Sequence, residues 1–485
     1  MTDFAELGIS SILIRSLTTM SIRRPTPVQA ACIPPLLSGQ DCIGNAKTGS
    51  GKTIAFALPM LQKLSLDPYG IFGLILTPTR ELAFQISEQF AVLGSSLNVR
   101  TSVVVGGMDM MTQALELNNR PHVVVATPGR LVDHMNSGTG EWTLSRVKFL
   151  VLDEADRLLS STFASDLRTI FTALPSERQT GLFTATLTPS IEALAAAPPR
   201  PGKQIPVIYR DLSTVETVDT LKQHYILVPS HVREVYLYHL LCYPPESILH
   251  LRRDPPVAGK PKSKRKAPNG AADEADGPPK QPPPTIIFVR HPRTAAYLTT
   301  LLQHLDIRAT ALHSHLSQPA RLASLQLFRA SVVPVLVCTD VASRGLDMED
   351  VGMVINWDMP SGKIKKRGKD IETPSGAADA NPEDEDVGGA EEYVHRVGRT
   401  ARMGRGGVAV SFVTERAEDE RMVQKIEQRI RTTLTELTLP EGKVLEQLNH
   451  VSTAKRTASM ALQESDFGKR QELHRIKRGK HRVSP

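Results

Sequence analysis

The sequence predicts an α/β protein with two tandem domains, each built on a doubly wound parallel sheet. Short apolar runs alternate with helical patterns almost from the start of the chain. Most of these runs are apolar throughout, which is typical of parallel strands buried on both faces. The alternation ends near Arg210 and restarts near Lys222, so a second domain of the same class follows the first.

The first domain contains six predicted strands, and helical patterns such as residues 51–64 and 80–93 separate them. Ligands of open parallel sheets bind beyond the carboxyl ends of the strands. The residues that follow these strands are therefore the candidates for a functional site. The predicted strands lie within residues 41–46, 72–79, 99–107, 121–128, 147–156 and 178–186.

The second domain repeats this pattern, with predicted strands within residues 222–228, 285–289, 307–314, 333–340, 351–358 and 407–413. A helical pattern follows and leads into a basic tail. The predicted division is a first domain over 1–210, a linker over 211–221, a second domain over 222–415 and a C-terminal extension over 416–485.

Two segments of the second domain, residues 252–284 and 361–391, interrupt the pattern. They are rich in proline and in charged residues, and neither can bury much apolar surface. Both are therefore predicted to be disordered insertions. Residues 260–266 hold five positive charges in seven positions. A nuclear-targeting signal, an RNA contact and a solvated spacer all remain open for this run.

The charge of the chain is concentrated at its C-terminus. The 485 residues carry a formal net charge of +7, and residues 469–485 hold seven basic side chains against one acid. The tail is therefore the part of the chain best suited to contact a polyanion. No apolar run reaches the roughly 18 residues of a membrane span, and the first residues lack the pattern of a secretory signal, so no membrane partner is expected.

A phosphate-binding loop is the strongest single motif. It follows the predicted strand 41–46 and opens a helix, which is the context that such a loop requires. Its glycines let backbone N–H groups face phosphate oxygens, and the helix N-terminus adds a partial positive charge. The lysine can reach the β and γ phosphates of a bound nucleotide, and the last threonine can bind Mg²⁺. The loop comprises Ala46, Lys47, Thr48, Gly49, Ser50, Gly51, Lys52 and Thr53, with Ala46 where glycine is usual.

An acidic motif closes the predicted strand 147–156. Asp153 stands at the strand end, where a carboxylate can hold Mg²⁺ beside the phosphate loop. Glu154 follows and can orient and deprotonate the attacking water. Together with Lys52, these residues predict hydrolysis of a nucleoside triphosphate with Mg²⁺ as the metal cofactor.

The order of these motifs resembles that of the DEAD-box RNA helicases, over about residues 4–415 apart from the two insertions. The resemblance implies two tandem RecA-like domains. The segment Arg24–Gln29 is similar to the adenine-reading segment of the family. By this resemblance Gln29 reads the adenine edge and Phe4 stacks on it.

Further motifs match elements that hold the RNA backbone in the family. Their glycines, threonines and arginines bind phosphates without reading bases. By the resemblance, Asp347 contacts the ribose of ATP. The implied RNA-binding residues are Pro78, Thr79, Arg80, Gly106, Gly107, Thr127, Pro128, Gly129, Arg130, Gln318, Arg321 and Thr339.

Two further groups complete the resemblance. Asp156, Thr184 and Thr186 match the elements that couple hydrolysis to strand separation, with Thr184 where the family usually has serine. His395, Arg399 and Arg402 belong to a catalytic motif of the second domain. The two arginines are three residues apart and would share one face of a helix. By the resemblance, they act as arginine fingers on the γ-phosphate.

The resemblance implies an RNA-stimulated ATPase that separates RNA duplexes locally or remodels RNA–protein complexes. The variants MSIRRPTPVQ, VINWDMP and HRVGRTAR are most similar to a fungal nucleolar subgroup that acts in small-subunit (40S) ribosome biogenesis. The implied partners are pre-rRNA, pre-ribosomal proteins and an activating protein, and the implied location is the nucleolus. An ATP-gated RNA clamp, a DNA-directed motor and a nucleotide-binding scaffold are the alternatives.

Overall fold

The computed structural model describes most of the chain, and its contacts divide it into two compact units on either side of residues 212–219. Most of both predicted insertions, the tail 469–485, Thr48, Asp347 and Arg402 lie outside the described residues. The described residues are 3–47, 49–138, 142–199, 203–211, 220–252, 281–340, 348, 351–360, 382–401 (side chains from 389), 406–465 and 467.

In the described part of the first unit, seven parallel strands form one sheet in the order β3-β4-β2-β5-β6-β1-β7. Six of them confirm the predicted strands, whereas β7 was missed. The strands are β1 (Cys42–Asn45), β2 (Gly73–Leu76), β3 (Thr101–Val104), β4 (Val123–Ala126), β5 (Phe149–Asp153), β6 (Gln179–Thr184) and β7 (Val207–Arg210).

Helices cover this sheet, and successive strand residues alternate between two apolar cores. Ile75 of β2 packs into one core and Leu74 into the other, as expected for strands buried on both faces. The helices are α1 (Ser11–Thr19), α2 (Pro27–Ser38), α3 (Lys52–Leu66), α4 (Arg80–Leu93), α5 (Met110–Asn118), α6 (Pro128–Ser137), α7 (Ala155–Leu158), α8 (Ala164–Ala173) and α9 (Pro189–Ala196), with a 3-10 turn at Ser95–Leu97.

The described part of the second unit contains a sheet of the same kind, with strand order β10-β11-β9-β12-β13-β8-β14. All its pairings are parallel, which confirms the predicted fold class. The strands are β8 (Leu221–Leu227), β9 (Thr285–Val289), β10 (Ala309–Leu312), β11 (Val335–Thr339), β12 (Met353–Asn356), β13 (Gly407–Val413) and β14 (Thr435–Glu436).

The C-terminal extension is an integral part of the second unit. Its last helix, Leu448–Glu464, packs on the helix Pro292–His304, and Phe467 beyond it stacks on His315 with ring centroids 5.2 Å apart. The root of the tail is therefore held near the end of β10. The helices are α10 (Arg233–Cys242), α11 (Pro292–His304), α12 (Gln318–Arg329), α13 (Pro382–Val397), α14 (Ala417–Ile430), α15 (Glu441–Glu446) and α16 (Leu448–Glu464), with a 3-10 segment at Glu246–Leu251.

Within the described ranges, no helix has the length and apolar character that crossing a membrane requires.

Candidate functional site

The predicted site residues of the first unit gather at one edge of its sheet. The phosphate loop follows β1, Thr79 and Arg80 follow β2, Gly106 follows β3, and the segment from Thr127 follows β4. Asp153 and Thr184 are the last residues of β5 and β6. Because all these strands are parallel, their carboxyl ends meet along this edge.

The phosphate loop passes from β1 into α3 through two glycines with positive φ. Gly49 has φ of 81° and Gly51 has φ of 85°, conformations that favour glycine. The ammonium of Lys52 folds back on the loop and donates to the carbonyl oxygens of Ala46 and Lys47, at 2.5 and 3.1 Å. The loop thus holds the lysine where phosphate oxygens could replace these two carbonyls.

Gln29 buttresses the phosphate loop. Its Nε2 donates to the carbonyl of Gly51 at 3.1 Å, and its Oε1 accepts from the backbone N–H of Thr26 at 2.9 Å. A Cβ at Gly51 would collide with the Gln29 amide, so the two positions constrain each other. Phe4 is only 1% exposed and packs in the core. The roles of Gln29 and Phe4 toward adenine remain predictions.

The carboxyl of Asp153 is buried beside the charge of Lys52. Its pKa is raised to about 7, mainly by burial; the charges of Glu154 and Asp156 add to this rise, whereas Lys52 acts to lower the pKa. Glu154 occupies the left-handed region with φ of 55°, and its N–H donates to Asp153 Oδ1 at 3.1 Å. A non-glycine residue in this region is strained, and such strain is found most often at functional sites.

These residues fit a magnesium–triphosphate group. A buried carboxyl with a raised pKa gains from a nearby cation, which favours its ionised form. The Ser50 hydroxyl is buried and has no hydrogen-bond partner among the described residues. Carboxylate and hydroxyl oxygens are the ligands that Mg²⁺ prefers, and Thr53 supplies a hydroxyl in the first turn of α3.

The three residues predicted to couple hydrolysis to strand separation form one network. Thr186 Oγ1 donates to Asp156 Oδ2 at 2.7 Å. Thr184 Oγ1 donates to the carbonyl of Thr186 at 2.8 Å and accepts from its N–H at 3.3 Å. The structure thus brings all three together, directly after the strand ends that carry Asp153 and Thr184.

The predicted RNA-binding loops of the first unit contact one another. Gly106 lies against the guanidinium of Arg80, because a Cβ there would come within 3.0 Å of Arg80 Nη2. Thr79 precedes α4, and its buried hydroxyl has no hydrogen-bond partner in the described part of the chain. The hydroxyl of Thr77, a residue that no sequence motif indicated, is also buried and has no hydrogen-bond partner among the described residues. Such hydroxyls are suited to phosphate oxygens.

Arg130 is held by residues that sequence reasoning missed. Its Nη2 donates to the carbonyl of Met108 at 2.7 Å, and its Nε donates to Gln113 Oε1 at 3.2 Å. Gln113 in turn donates to the carbonyl of Val105 at 2.9 Å, and His134 Nε2 lies 3.2 Å from Gln113 Oε1. Gln113 therefore links the loops after β3 and β4, and no motif pointed to it.

The remaining RNA-binding predictions in the first unit lie on the same loops. Pro128 and Gly129 form the first turn of α6, which begins after Thr127. Gly107 has φ of 83°, and Pro78 lies between Thr77 and Thr79.

In the second unit, the predicted RNA-binding residues lie at the ends of β10 and β11. Thr339 ends β11, and its buried hydroxyl has no partner among the described residues. Gln318 and Arg321 lie in the first turn of α12, and both are buried. Burial lowers the pKa of the neighbouring His313 to about 4, and the charges of His315 and Arg321 contribute.

The predicted helix across Arg399 and Arg402 is wrong. Helix α13 ends at Val397, and tighter i→i−3 turns follow it, with Arg399 N–H donating to Arg396 O and Thr400 N–H to Val397 O. Arg399 is 1% exposed, and its Nε donates to the carbonyl of His395 at 3.1 Å. Arg402 lies outside the described residues, so no shared face can be assigned.

Arg396, which the sequence analysis did not single out, is the structural arginine of this motif. Its Nη2 pairs with Asp340 Oδ1 at 2.5 Å, and its Nη1 donates to the carbonyl of Asp358 at 2.8 Å. The guanidinium also lies 5.3 Å from the centre of the Phe288 ring. Arg396 thus ties the motif around Arg399 to the strand end that carries Thr339.

Two family models match the chain. The DEAD/DEAH box helicase model matches residues 26–194, and the helicase conserved C-terminal domain model matches residues 279–404. These ranges contain the candidate site residues of each unit except Phe4.

Curated relatives match along nearly the whole chain. The ATP-dependent RNA helicase DBP8 of Mycosarcoma maydis is 47% identical, with 98% of this chain and 89% of that protein covered. The ATP-dependent RNA helicase DBP8 of Candida albicans is 44% identical, with 100% of this chain and 97% of that protein covered.

Solved structures show the same fold. S. cerevisiae Dbp5 bound to RNA and ADP BeF3 aligns with a TM-score of 0.69 and 24% identity, covering 94% of this chain and 100% of that one. Mss116p bound to ssRNA and AMP-PNP aligns with a TM-score of 0.71 and 24% identity, covering 93% of this chain and 82% of that one. Given the identity to its curated relatives and the two family models, the chain belongs to the DEAD-box family of ATP-dependent RNA helicases.

Proposed function

We propose that Lys52, Asp153 and Glu154 carry out the hydrolysis of magnesium-bound ATP. The observation that supports this most is the buried Asp153 carboxyl, whose pKa Lys52 acts to lower, beside a left-handed Glu154. Asp153 and Thr53 would hold Mg²⁺, which neutralises charge on the phosphates when bound. Glu154 would take the proton of the attacking water.

We propose that RNA is held through its backbone. The buried hydroxyls of Thr79 and Thr339 have no partner among the described residues, and both lie at the carboxyl ends of strands, Thr79 just after β2 and Thr339 as the last residue of β11. Contacts of this kind to phosphate and 2′-hydroxyl groups imply little preference for sequence.

We propose that hydrolysis and RNA binding require both units together, since Lys52 and Glu154 belong to one and Arg399 to the other. ATP and RNA would then each favour the same closed state, and therefore each other's binding. The family resemblance adds that this state accepts one bent strand and excludes its partner. A strand-displacement assay beside an RNA-residence assay distinguishes this helicase activity from an RNA clamp, which would retain RNA without displacing a strand.

We propose that the substrate is pre-rRNA and that the protein acts in the nucleolus in assembly of the 40S subunit, with pre-ribosomal proteins and an activating protein as partners. The fungal relatives above, at 44–47% identity, and the subgroup variants of the motifs support this placement. Crosslinking the protein to RNA in cells and sequencing the attached RNA tests it. Recovery of mostly mRNA would contradict it.

Replacing Glu154 with glutamine should leave ATP and RNA binding intact but slow turnover by about 10²–10⁴-fold, because the general base is lost. The slowed protein should also remain on RNA for longer. Single-turnover hydrolysis and RNA dissociation rates measure both effects. Glu192→Gln, an exposed change on α9, is the matched control. Wild-type turnover by the Glu154→Gln protein would remove Glu154 from the reaction.

Deleting residues 469–485 removes a net charge of +6 and should weaken RNA binding and flatten its dependence on salt. The rate of ATP hydrolysis at saturating RNA should not change. A full-length chain with the seven basic residues of the tail changed to glutamine should behave like the deletion. An unchanged salt slope in both proteins would show that the tail does not bind RNA.

A further inference from the structure

A basic cleft lies at the amino ends of β3, β4, β2 and β5, the edge of the first sheet opposite the candidate site. These four strands are neighbours in the sheet, so the residues that precede them converge. The cleft has a volume of about 510 Å³. Its principal lining residues are Tyr69, Arg100, Asn118, Arg120, His122 and Arg146.

The cleft presents mainly hydrogen-bond donors and positive charge. Three arginines line it, Arg100, Arg120 and Arg146, and Asn118 and Asn119 add two residues with carboxamide side chains. None of the described residues that line it is acidic. Such a donor set matches an anionic ligand with several acceptor oxygens.

Contacts between the loops hold this donor set in place. The backbone N–H of Arg100 donates to His122 Nδ1 at 3.0 Å, and the N–H of His122 donates to the carbonyl of Arg100 at 2.9 Å. The first of these bonds leaves Nε2 as the donor of a neutral His122 ring. Arg100 Nη2 donates to the carbonyl of Arg120 at 3.4 Å. A preorganised cleft loses less conformational entropy when a ligand binds.

The aromatic ring of the cleft is not free to stack on a base. The Arg146 guanidinium lies 4.5 Å from the centre of the Tyr69 ring, and Phe72 packs against that ring at an interplanar angle of 71°. Binding in the cleft therefore depends on charge and hydrogen bonds. Duplex RNA is recognised in this way, through phosphate and 2′-hydroxyl groups and without reading of bases.

We propose that this cleft is a second RNA site. It binds the phosphate backbone of structured RNA that flanks the single strand held at the candidate functional site, which is called the helicase site below. This proposal rests on the function proposed above, since the cleft adds a contact to the same RNA substrate. Strands of four to five residues separate the two edges by about 15 Å at roughly 3.3 Å per residue. The two sites face opposite edges of the sheet, so a short single strand bound along the helicase site does not contact the cleft, whereas RNA with an attached structured region can extend around the unit and engage both.

The test uses the full chain with two exposed arginines changed, Arg100→Gln and Arg120→Asn. Asparagine suits position 120, where φ is 47°. Arg15→Gln with Arg168→Gln removes the same charge from exposed positions on α1 and α8 of the same unit. Affinity is measured between 50 and 200 mM salt for a ten-nucleotide single strand and for the same strand joined to a duplex.

The cleft variant should bind the short strand like the wild type and retain the ATPase activity that this strand stimulates. Its affinity for the duplex-joined RNA should fall about 10-fold, and the salt slope should decrease by about two, one for each phosphate that the variant no longer neutralises. The control pair should leave both values close to those of the wild type. Arg100→Glu, a single charge reversal, should reproduce the weaker binding.

Equal affinities of the cleft and control variants for the duplex-joined RNA would overturn the proposal. Loss of binding to a polyglutamate peptide with RNA binding unchanged would also overturn it, because the cleft would then bind an acidic protein segment. A failure of the proposed function would look different, since the short strand would then fail to stimulate the wild-type ATPase.

Discussion

Replacing Lys52 with alanine should reduce RNA-stimulated ATP hydrolysis by at least about 10²–10³-fold, the scale for removal of a preorganised donor at a site of developing charge. The Lys52 ammonium now contacts the carbonyls of Ala46 and Lys47 and is positioned to exchange them for phosphate oxygens. Its loss also removes the charge that lowers the pKa of Asp153, so a larger fraction of that carboxyl would be protonated and unable to bind a cation. Steady-state ATPase rates at saturating RNA measure the effect.

Lys63→Ala is the matched control for Lys52→Ala. Lys63 lies on the same helix, and its ammonium contacts Gln179 Oε1 at 2.8 Å, away from the phosphate loop. The Lys63→Ala substitution should change the stability of the first unit but not the rate of ATP hydrolysis. Rates within a few-fold of wild type for Lys52→Ala would exclude this lysine from the reaction.

Replacing Arg399 with alanine should spare ATP binding and reduce hydrolysis by about 10³-fold or more, the usual scale for an arginine finger. Its guanidinium is positioned by the carbonyl of His395 and lies near the end of β11, where its charge acts to lower the pKa of Cys338 that burial raises. Arg399→Lys keeps the charge but loses the planar fork, and it should recover only part of the rate. Equilibrium binding measures the affinity for ATP, which should not change, and single-turnover experiments measure the rate of hydrolysis, which should fall.

Arg421→Ala, an exposed change on α14, controls for the loss of a positive charge in the second unit. Normal turnover by Arg399→Ala would show that the second unit does not supply the finger, and the proposal that both units are needed for hydrolysis would lose its main support.

The predicted strands are confirmed because parallel strands buried on both faces are apolar at nearly every position. The two missed strands lack this signature. Strand β7 lies at the edge of the first sheet and is only half-buried at alternate positions, and β14 has two exposed residues. Edge strands bury less surface, so their sequences carry less of the hydrophobic signal.

The site residues could be predicted where a motif joins a residue type to a strand end, as at Lys52 and Asp153. The contacts that hold these residues in place could not be predicted from the sequence. Gln113 links two loops, and Arg396 pairs with Asp340 across 56 positions of the chain. Such pairs depend on which strands become neighbours, and local sequence patterns do not contain this information.

The end of α13 shows a further limit. A three-residue spacing between Arg399 and Arg402 predicts one shared face only if the helix continues. The tight turns after Val397 and the bond from Thr400 Oγ1 to the carbonyl of Val351 at 2.5 Å end it instead. Periodicity alone could not locate this change.

The RNA dependence of ATP turnover by the intact chain tests the central claim most directly. We predict slow hydrolysis in the absence of RNA, a saturable increase of at least about 10-fold with single-stranded RNA, and a smaller response to DNA of the same sequence. Equal rates of ATP hydrolysis with and without RNA would contradict the account.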